Sequence, residues 1–296
     1  MESVPLELPL RLPCRPPFAA NALLSFLAAR AVPGVEDVHD GTYRRGVPAT
    51  EGLTAVIAMT PDLSGYLTVD TSAGDVRNDH DLAAIVQGAR RTFDLDADPQ
   101  TIDGALTQDT KLAPLVRRTP GMRVPGTFDA FELVVRAIFG QQVSVPGART
   151  SLGRFAKRFG TPLDPPGRGG SRLFPTADRV TDIPLEAFEI PRGRAEAIRR
   201  VAELVALGQL DLSGSASPEE ALHILGEVRG IGPWTLAYVA MRALRDPDAF
   251  MAGDLGIRKG FEALGLPSGG KELLERAERW RPWRAYAVMH LWHAHI

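Results

Sequence analysis

The segment that most restricts the fold of this chain is a turn of two glycines around one aliphatic residue, Gly230-Ile231-Gly232. Before it, residues 217–220 (SPEE) supply an N-cap, a first-turn proline and a capping-box glutamate for a helix predicted to reach Val228. After it, Pro233 begins a second helix. The glycines permit unusual dihedral angles and close approach, and Ile231 anchors the turn as a hydrophobic plug. The sequence therefore predicts a tight hairpin of two helices.

The amides of such a turn and the N-terminus of its second helix point outward. They can bind a phosphate group without a net positive charge on the protein. Phosphate contacts of this kind position a protein on DNA but do not read its sequence. From the turn alone, DNA binding is only slightly favoured over a plain helical hairpin with a glycine turn.

The charge of the chain is unevenly distributed, although the net charge over 296 residues is only −2. Residues 1–110 carry 8 Arg and 16 Asp or Glu, a net charge of −8. Residues 111–296 carry 26 Lys or Arg and 20 Asp or Glu, a net charge of +6. A basic half attached to an acidic half indicates polyanion binding by the C-terminal half, although a mixed solvated surface explains the same charges.

Asp254 is the candidate catalytic group. It stands 22 residues after Gly232 and just before a helical segment that runs to about Leu264. Aspartate is also a favoured N-cap, so a purely structural role is a strong alternative. The two roles are compatible, because a helix N-terminus stabilises a charged carboxylate. Such a group can stabilise the positive charge that develops on a sugar when a glycosidic bond breaks, and can orient or deprotonate the attacking water.

Aromatic residues gather near these two features. Trp234 and Tyr238 are four residues apart and share a helix face. A second group follows near the C-terminus: Trp280, Trp283, Tyr286 and Trp292. Most aromatics at helical spacing belong to a core. A slot between such rings would also suit a base flipped out of DNA, especially one made cationic by alkylation.

The chain is predicted to be mainly α-helical with an α+β N-terminal domain. Residues 1–106 form the acidic domain, an antiparallel sheet with helices, and residues 107–296 form an all-α region. In the first domain, strands are predicted at 4–12, 53–59 and 66–69, a turn at 61–65 and a helix at 21–30. In the second, helices are predicted to begin at the Asp129 capping box, at Pro146 and at Arg192, with a loop at 165–170.

Several classes of protein are disfavoured by composition. The single cysteine, Cys14, excludes an intramolecular disulfide and a multi-cysteine cluster. The longest apolar stretches, such as 53–59, are too short to cross a bilayer, and no secretory signal is visible at the N-terminus. We therefore expect a bacterial cytoplasmic protein with no membrane partner.

Together, these residues resemble the helix-hairpin-helix DNA glycosylase superfamily through the hairpin 228–234 (VRGIGPW) followed by Asp254. Four further stretches are similar to the 3-methyladenine DNA glycosylase II family, the AlkA type: 25–32 (SFLAARAV), 136–145 (RAIFGQQVSV), 278–287 (ERWRPWRAYA) and 290–292 (HLW). Together, the hairpin and these stretches extend over nearly the whole chain and are highly specific as a set. Taken singly, only the hairpin followed by Asp254 is specific.

The resemblance implies a role for individual residues. Asp254 falls on the family's catalytic aspartate. The implied base pocket consists of aromatic residues from both halves of the chain: Trp234, Tyr238, Trp292 and Phe26. The implied DNA-binding residues lie in the hairpin and in the 140–143 loop: Gly230, Ile231, Gly232, Thr235, Gln141 and Gln142.

The chain departs from the family pattern at two positions. Gln142 replaces the apolar wedge that relatives insert between bases, and an amide inserts less favourably than an aliphatic side chain. Leu255 stands where some relatives carry an aromatic residue next to the aspartate. Both differences bear on the range of lesions that the protein accepts.

The resemblance also implies a monofunctional enzyme. Lyase-competent members carry a nucleophilic lysine in the hairpin, where this chain has Trp234. We therefore expect hydrolysis by water without strand cleavage. One cysteine excludes the iron–sulfur cluster of the endonuclease III branch. No cofactor is expected, apart from a monovalent ion that the resemblance suggests at the hairpin.

The C-terminal histidines, His290, His293 and His295, have spacing suited to a metal but lack an evident fourth ligand, so no catalytic metal is expected. The expected partner is double-stranded DNA with damaged bases, bound by a monomer. Two alternatives remain open: a non-catalytic helix-hairpin-helix DNA-binding protein, and a glycosylase for oxidised or deaminated bases. The latter would need specific hydrogen-bond donors in its pocket, whereas a cationic base needs mainly stacking.

Overall fold

The computed structural model describes residues 9–49, 54–62, 65–74, 76, 79–167, 170–213 and 217–294. Its N-terminal strands are β1 (Leu10–Pro13), β2 (Glu36–His39), β3 (Thr42–Pro48), β4 (Thr54–Pro61) and β5 (Tyr66–Gly74). They form one antiparallel sheet in the order β1-β5-β4-β3-β2. Two helices accompany the sheet, α1 (Ala20–Arg30) and α2 (Asp79–Phe93). The predicted α+β N-terminal fold is thus confirmed.

The sheet is larger than the sequence pattern indicates. The predicted strands correspond to β1, β4 and β5, although residues 4–8, 53, 63 and 64 of the predicted strands and turn lie outside the described residues. The β2–β3 hairpin was not predicted. Its tip, Asp40-Gly41, has φ angles of 50° and 69° at the two residues, the left-handed conformation of a two-residue hairpin turn. Leu23, Leu24 and Leu27 of α1 pack in one core with strand residues such as Ile57.

The rest of the described chain is mainly helical. Its helices are α3 (Pro99–Leu106), α4 (Ala113–Arg118), α5 (Ala130–Phe139), α6 (Val145–Phe159), α7 (Ala177–Thr181), α8 (Arg192–Ala206), α9 (Pro218–Gly226), α10 (Pro233–Arg242), α11 (Leu255–Ala263), α12 (Gly270–Ala277) and α13 (Arg284–His293). Predicted caps form as expected: the Asp129 and Ser217 side chains accept hydrogen bonds from the amides of Glu132 and Glu220, each at 3.1 Å. Within the described ranges, no helix is long and apolar enough to cross a membrane.

The prediction of a purely helical second half was wrong, and so was the predicted loop at residues 165–167 and 170, which lie in strands; residues 168 and 169 lie outside the described residues. Strands β6 (Pro162–Gly167) and β7 (Gly170–Arg172) form a small antiparallel hairpin. It packs against the N-terminal sheet at Gly46, where an added β-carbon would lie 2.8 Å from Leu163 and 3.1 Å from the Arg172 carbonyl oxygen. Prolines and glycines suggest a loop locally, but here they permit an edge hairpin whose contacts come from a distant strand.

A buried network of charged residues joins the sheet to helix α5. Glu36 and Arg45 lie on neighbouring strands, and Glu132 and Arg136 lie one helical turn apart on α5. The Arg45 guanidinium donates to Glu132 at 2.8 Å, and Arg136 donates to Glu36 at 2.6 Å. Burial alone would raise the pKa of Glu36, but the two arginines lower it to about 2. Two positive and two negative groups thus balance each other inside the protein.

A second hydrophobic core positions the candidate site. It combines residues of α10, α11 and α13 with Phe26 of α1, so an N-terminal helix contributes to the C-terminal core. Ile102 and Leu106 of α3 belong to the same core. The boundary at residue 106 stays a prediction, since packing joins the two parts on either side of it.

A buried aspartate between α2 and α13 provides a test of the fold by pH. Asp94 accepts hydrogen bonds from the Tyr286 hydroxyl at 2.8 Å and from the Val124 amide at 3.2 Å. Burial raises its pKa from the ordinary 3.8 to about 6 despite these donors. Between these values the folded protein retains a proton that the unfolded chain has released, so stability falls as the pH rises from about 4 to 6.

We expect Asp94→Asn to remove this loss, because asparagine keeps an acceptor for both donors and tolerates the left-handed backbone at φ 49°. The free energy of unfolding of the variant, relative to wild type, should rise by roughly 1–3 kcal/mol between pH 4 and 7. Chemical denaturation across this range measures the difference. Tyr286→Phe, which removes a donor to the carboxylate, should extend the pH dependence upward. If the unfolding free energies of wild type and Asp94→Asn changed with pH in the same way, the pH dependence would not come from Asp94.

Candidate active site

Three N–H donors converge on the carboxylate of Asp254. The residue is the N-cap of α11, and its Oδ1 accepts a hydrogen bond from the Ile257 amide at 2.9 Å. The indole Nε1 of Trp292 donates to the same oxygen at 2.8 Å, and that of Trp234 donates to Oδ2 at 2.9 Å. The structural role and the candidate catalytic role therefore coexist in one side chain. Asp254 stays partly exposed, so its carboxylate can be reached from outside.

The predicted pocket aromatics meet around this carboxylate. Trp234 stacks on Tyr238, with ring centroids 5.1 Å apart and planes 11° from parallel. Tyr238 lies 6.5 Å from Trp292, and Trp292 stacks on Phe26 at 6.0 Å. Trp234 is half-buried, whereas the other three rings are buried. The structure thus brings together all four residues, which come from α1, α10 and α13.

Two glycines of α11, which the sequence analysis did not identify, permit this geometry. An added β-carbon at Gly256 would lie 2.8 Å from the Trp292 ring and 3.0 Å from the Asp254 carboxylate. At Gly260 it would lie 2.8 Å from Leu291. Their spacing of four residues places both on the helix face that packs against α13. That spacing, directly after Asp254, is the signal that could have revealed them.

Two arginines next to the aromatic rings were also missed. Arg30 follows Phe26 by four residues on α1, and Arg242 follows Tyr238 by four on α10. Arg242 donates to the Tyr238 hydroxyl at 2.7 Å. Burial alone would raise the pKa of Tyr238, but the two guanidinium groups lower it overall. The site therefore contains positive charge as well as rings and a carboxylate.

The glycine turn lies on the surface, as predicted, but its two glycines differ. Gly230 has a φ of +98°, the left-handed conformation that favours glycine. Gly232 has an ordinary φ of −100° and is the N-cap of α10, so the expectation of unusual dihedral angles was wrong there. A β-carbon at Gly232 would meet no atom within 4 Å, which leaves the outer side of the turn open. Ile231 is buried beneath the turn.

The 140–143 loop is hydrogen-bonded to this hairpin. The Gln141 side-chain amide donates to the Gly230 carbonyl at 2.9 Å and to the Thr235 hydroxyl at 3.1 Å. Thr235 is only 2% exposed. Its hydroxyl thus faces Gln141 rather than an open surface suited to a phosphate. Gln142 is exposed in the left-handed region at φ 54°, and its amide oxygen accepts from Arg194 at 3.3 Å.

The histidines at the C-terminus do not gather into a site. His290 is buried, and burial, with His293 nearby, lowers its pKa to about 3, so the ring is neutral. His295 lies outside the described residues. Among the residues that the structure describes, no three His, Cys, Asp or Glu side chains are grouped to hold a metal ion.

Solved structures share the fold of this chain. The chain superposes on a 3-methyladenine DNA-glycosylase from Archaeoglobus fulgidus with a TM-score of 0.81, covering 96% of this chain and 97% of that one at 23% identity. It also matches a Clostridium acetobutylicum 8-oxoguanine glycosylase/lyase in complex with double-stranded DNA, with a TM-score of 0.69 at 19% identity over 88% of this chain and 87% of that one. The fold is that of the helix-hairpin-helix DNA glycosylases.

Sequence comparison narrows this class to a family. The AlkA N-terminal domain model matches residues 9–129. DNA-3-methyladenine glycosylase 2 from Escherichia coli K12 is 36% identical over 283 residues, which are 94% of this chain and 95% of that protein. The chain belongs to the DNA-3-methyladenine glycosylase 2 (AlkA) family. A probable bifunctional transcriptional activator/DNA repair enzyme AlkA from Mycobacterium tuberculosis H37Rv is 39% identical over 96% of this chain, which spans only 56% of that relative.

The bonds between Gln141 and the hairpin generate a prediction. Gln141→Ala removes two donors and leaves the Gly230 carbonyl and the Thr235 hydroxyl without them, so the free energy of unfolding should fall by roughly 1–2 kcal/mol. Affinity for duplex DNA should fall as well, because the turn loses its support. Urea denaturation and fluorescence anisotropy with a labelled duplex measure the two effects.

Gln142→Ala is the matched control, since it shortens a neighbouring exposed glutamine. Among the hydrogen bonds of the described residues, the Gln142 side chain contacts only the partly exposed Arg194 side chain. We expect its unfolding free energy to stay within about 0.5 kcal/mol of wild type. Equal destabilisation by the two substitutions would show that Gln141 does not hold the hairpin.

Proposed function

We propose that this protein is a monofunctional DNA glycosylase of base excision repair. It flips alkylated bases such as 3-methyladenine and 7-methylguanine out of duplex DNA and hydrolyses their N-glycosidic bond. The single observation that carries the proposal is the position of the Asp254 carboxylate, partly exposed and fixed by the indoles of Trp234 and Trp292. Membership of the DNA-3-methyladenine glycosylase 2 family supports the same activity.

The chemistry follows from the charge of the carboxylate. When the bond between C1′ and the base breaks, its electron pair leaves with the base and the sugar becomes cationic. Asp254 stabilises this oxocarbenium-like state. A carboxylate offers about four acceptor positions, and three N–H donors occupy three of them, which leaves one for the attacking water. Water adds to C1′, and its proton passes to Asp254 and then to solvent.

The absence of lyase activity is part of the proposal. Trp234 occupies the hairpin position of the lysine in bifunctional relatives, and its indole nitrogen donates to Asp254. An indole cannot form a Schiff base with C1′ of the sugar, so water remains the nucleophile. Borohydride trapping with damaged duplex DNA should therefore give no covalent protein–DNA adduct.

DNA binding is assigned to the surface around the hairpin. The exposed turn beside Gly232 offers backbone N–H groups at the start of α10. The exposed Gln142 and the partly exposed Arg194 extend this surface along the 140–143 loop and α8. We propose that a monomer binds damaged duplex DNA here, in the bacterial cytoplasm. Hydrolysis by water and Asp254 requires no cofactor, and a monovalent ion at the hairpin stays a prediction.

A non-catalytic DNA-binding role has less support. It would fit an Asp254 that acts only as a helix cap in the absence of an aromatic pocket. Asp254 does cap α11, but two pocket indoles also donate to it. The third possibility, a neutral oxidised or deaminated base, gains support from the cationic side chains next to the rings.

Asp254→Asn tests the proposal. Asparagine still caps a helix but cannot carry the negative charge, so release of 7-methylguanine from methylated duplex DNA should fall by roughly 10²–10⁴-fold. Asp98→Asn is the matched control, because Asp98 caps α3 through the Thr101 amide in the same way. We expect it to release bases at the wild-type rate.

Two outcomes would contradict this proposal. Wild-type protein that releases no methylated base would exclude the alkylbase activity. Equal release by wild type and Asp254→Asn would exclude the role of the carboxylate. Circular dichroism of each variant shows whether the fold is kept.

A further inference from the structure

Arg30 lies against the aromatic rings of the candidate pocket. Its guanidinium carbon is 3.8 Å from the centroid of the Phe26 ring and 5.9 Å from that of Trp292. Arg30 is the last residue of α1, and it is half-buried. A planar guanidinium that lies over a ring presents its N–H groups at its edge. We expect these donors to be within reach of a base that stacks among the rings.

The neighbouring arginine shows how a purely structural guanidinium is arranged here. Arg242 is 6% exposed and donates to the carbonyl oxygens of Pro125 and Gly126 and to the Tyr238 hydroxyl, at 2.7–2.9 Å. All three of its guanidinium nitrogens therefore donate to other groups of the protein. Arg30, in contrast, is hydrogen-bonded to the Tyr238 side chain but forms no ion pair with any carboxylate that the structure describes.

The surroundings of Arg30 are unfavourable for an unused charge. Burial, which has the largest effect, and the nearby positive charge of Arg242 lower its pKa, while Tyr238 and Asp254 oppose this change. A partly desolvated cation without a carboxylate partner costs free energy unless a ligand compensates it. This arrangement is typical of a group that serves a bound molecule.

We infer that Arg30 is a specificity-determining residue that favours neutral damaged bases over cationic alkylated bases in this pocket. The favoured class is a neutral purine or pyrimidine that presents a carbonyl oxygen or ring nitrogen to the guanidinium. The inference rests on the proposed function, since it concerns which bases leave from the same site. Asp254 stabilises the sugar cation in either case, so it does not distinguish cationic from neutral bases, whereas Arg30 acts on the base itself.

The electron balance of the reaction explains why charge matters. When the C1′–N bond breaks, the electron pair goes to the base in either case. A cationic base such as 7-methylguanine then leaves as a neutral molecule, so the base itself needs no positive group to stabilise it. A neutral base such as hypoxanthine leaves as an anion, which later takes a proton from water. A guanidinium next to the base stabilises that developing negative charge.

The same guanidinium acts against a cationic base. Two like charges within one partly desolvated site repel each other more strongly than they would in water. The aromatic rings attract both a cation and a neutral base, so they do not reverse this preference by themselves. Arg30 therefore changes the ratio of the two reactions, whereas Asp254 changes both rates together.

The test compares two duplexes of identical sequence, one with a single 7-methylguanine and one with a single hypoxanthine at the same position. Rate constants for base release are measured in single turnover with the enzyme in excess. Arg30→Gln should slow hypoxanthine release by roughly 10²-fold and leave 7-methylguanine release unchanged or faster. Arg30→Lys keeps the charge but loses the planar fork, so its ratio should lie between those of wild type and Arg30→Gln.

Arg179→Gln is the matched control, because it removes the same charge from an exposed side chain on α7. Both of its rate constants should equal those of wild type. Circular dichroism reports whether each variant is folded. If Arg30→Gln does not fold, Arg30→Met decides, because it removes the charge but keeps an unbranched side chain: a ratio of 7-methylguanine to hypoxanthine release that rises several-fold supports the inference, and an unchanged ratio overturns it.

Other results also overturn the inference while leaving the proposed function intact. One is an equal fall of both rate constants in Arg30→Gln, which would indicate a structural role. Another is a wild-type enzyme that releases 7-methylguanine but no hypoxanthine. Wild-type protein that releases neither base would instead contradict the proposed function itself.

Discussion

The structure depends on one carboxylate that accepts hydrogen bonds from three elements at once. Asp254 caps its own helix, α11, and binds the indoles of α10 and α13. Charge-assisted hydrogen bonds are stronger and shorter than neutral ones, so they fix the indole rings as well as the carboxylate. The same contacts that hold Asp254 therefore also orient the aromatic rings around it. A side chain that caps a helix can in this way also carry the proposed catalytic role.

The pocket also requires close packing that polar contacts alone cannot provide. At Gly256 and Gly260, α13 lies so close to α11 that a β-carbon added to either glycine would clash with α13. On the other side, Phe26 of α1 packs on Trp292. The site is thus assembled from residues that lie more than 200 positions apart in the chain. Elsewhere, the buried charges of Glu36, Arg45, Glu132 and Arg136 join the sheet to helix α5.

Local sequence signals predicted the parts of the molecule that depend on local physics. The caps at Asp129, Ser217 and Asp254 and the turn at Gly230 follow from backbone chemistry within a few residues. The position of Arg30 beside Trp292 does not, because it depends on how α1 packs against α13. The β6–β7 hairpin was missed for the same reason, since Gly46 on a distant strand supports it. The predicted grouping of the aromatic residues in a base pocket came from the resemblance to a family. Their spacing alone is equally compatible with a place in the hydrophobic core.

Helix α1 has a consequence for how such a protein diversifies. Its leucines are anchored in the sheet core, while Phe26 and Arg30 reach the rings around Asp254. Asp254 and the turn at Gly230 belong to other elements. Under the proposed function, exchanges at Phe26 and Arg30 would alter lesion preference in a lineage while leaving the proposed carboxylate and the proposed phosphate-binding turn unchanged. Helix α1 is, in this sense, the element through which the proposed activity can vary.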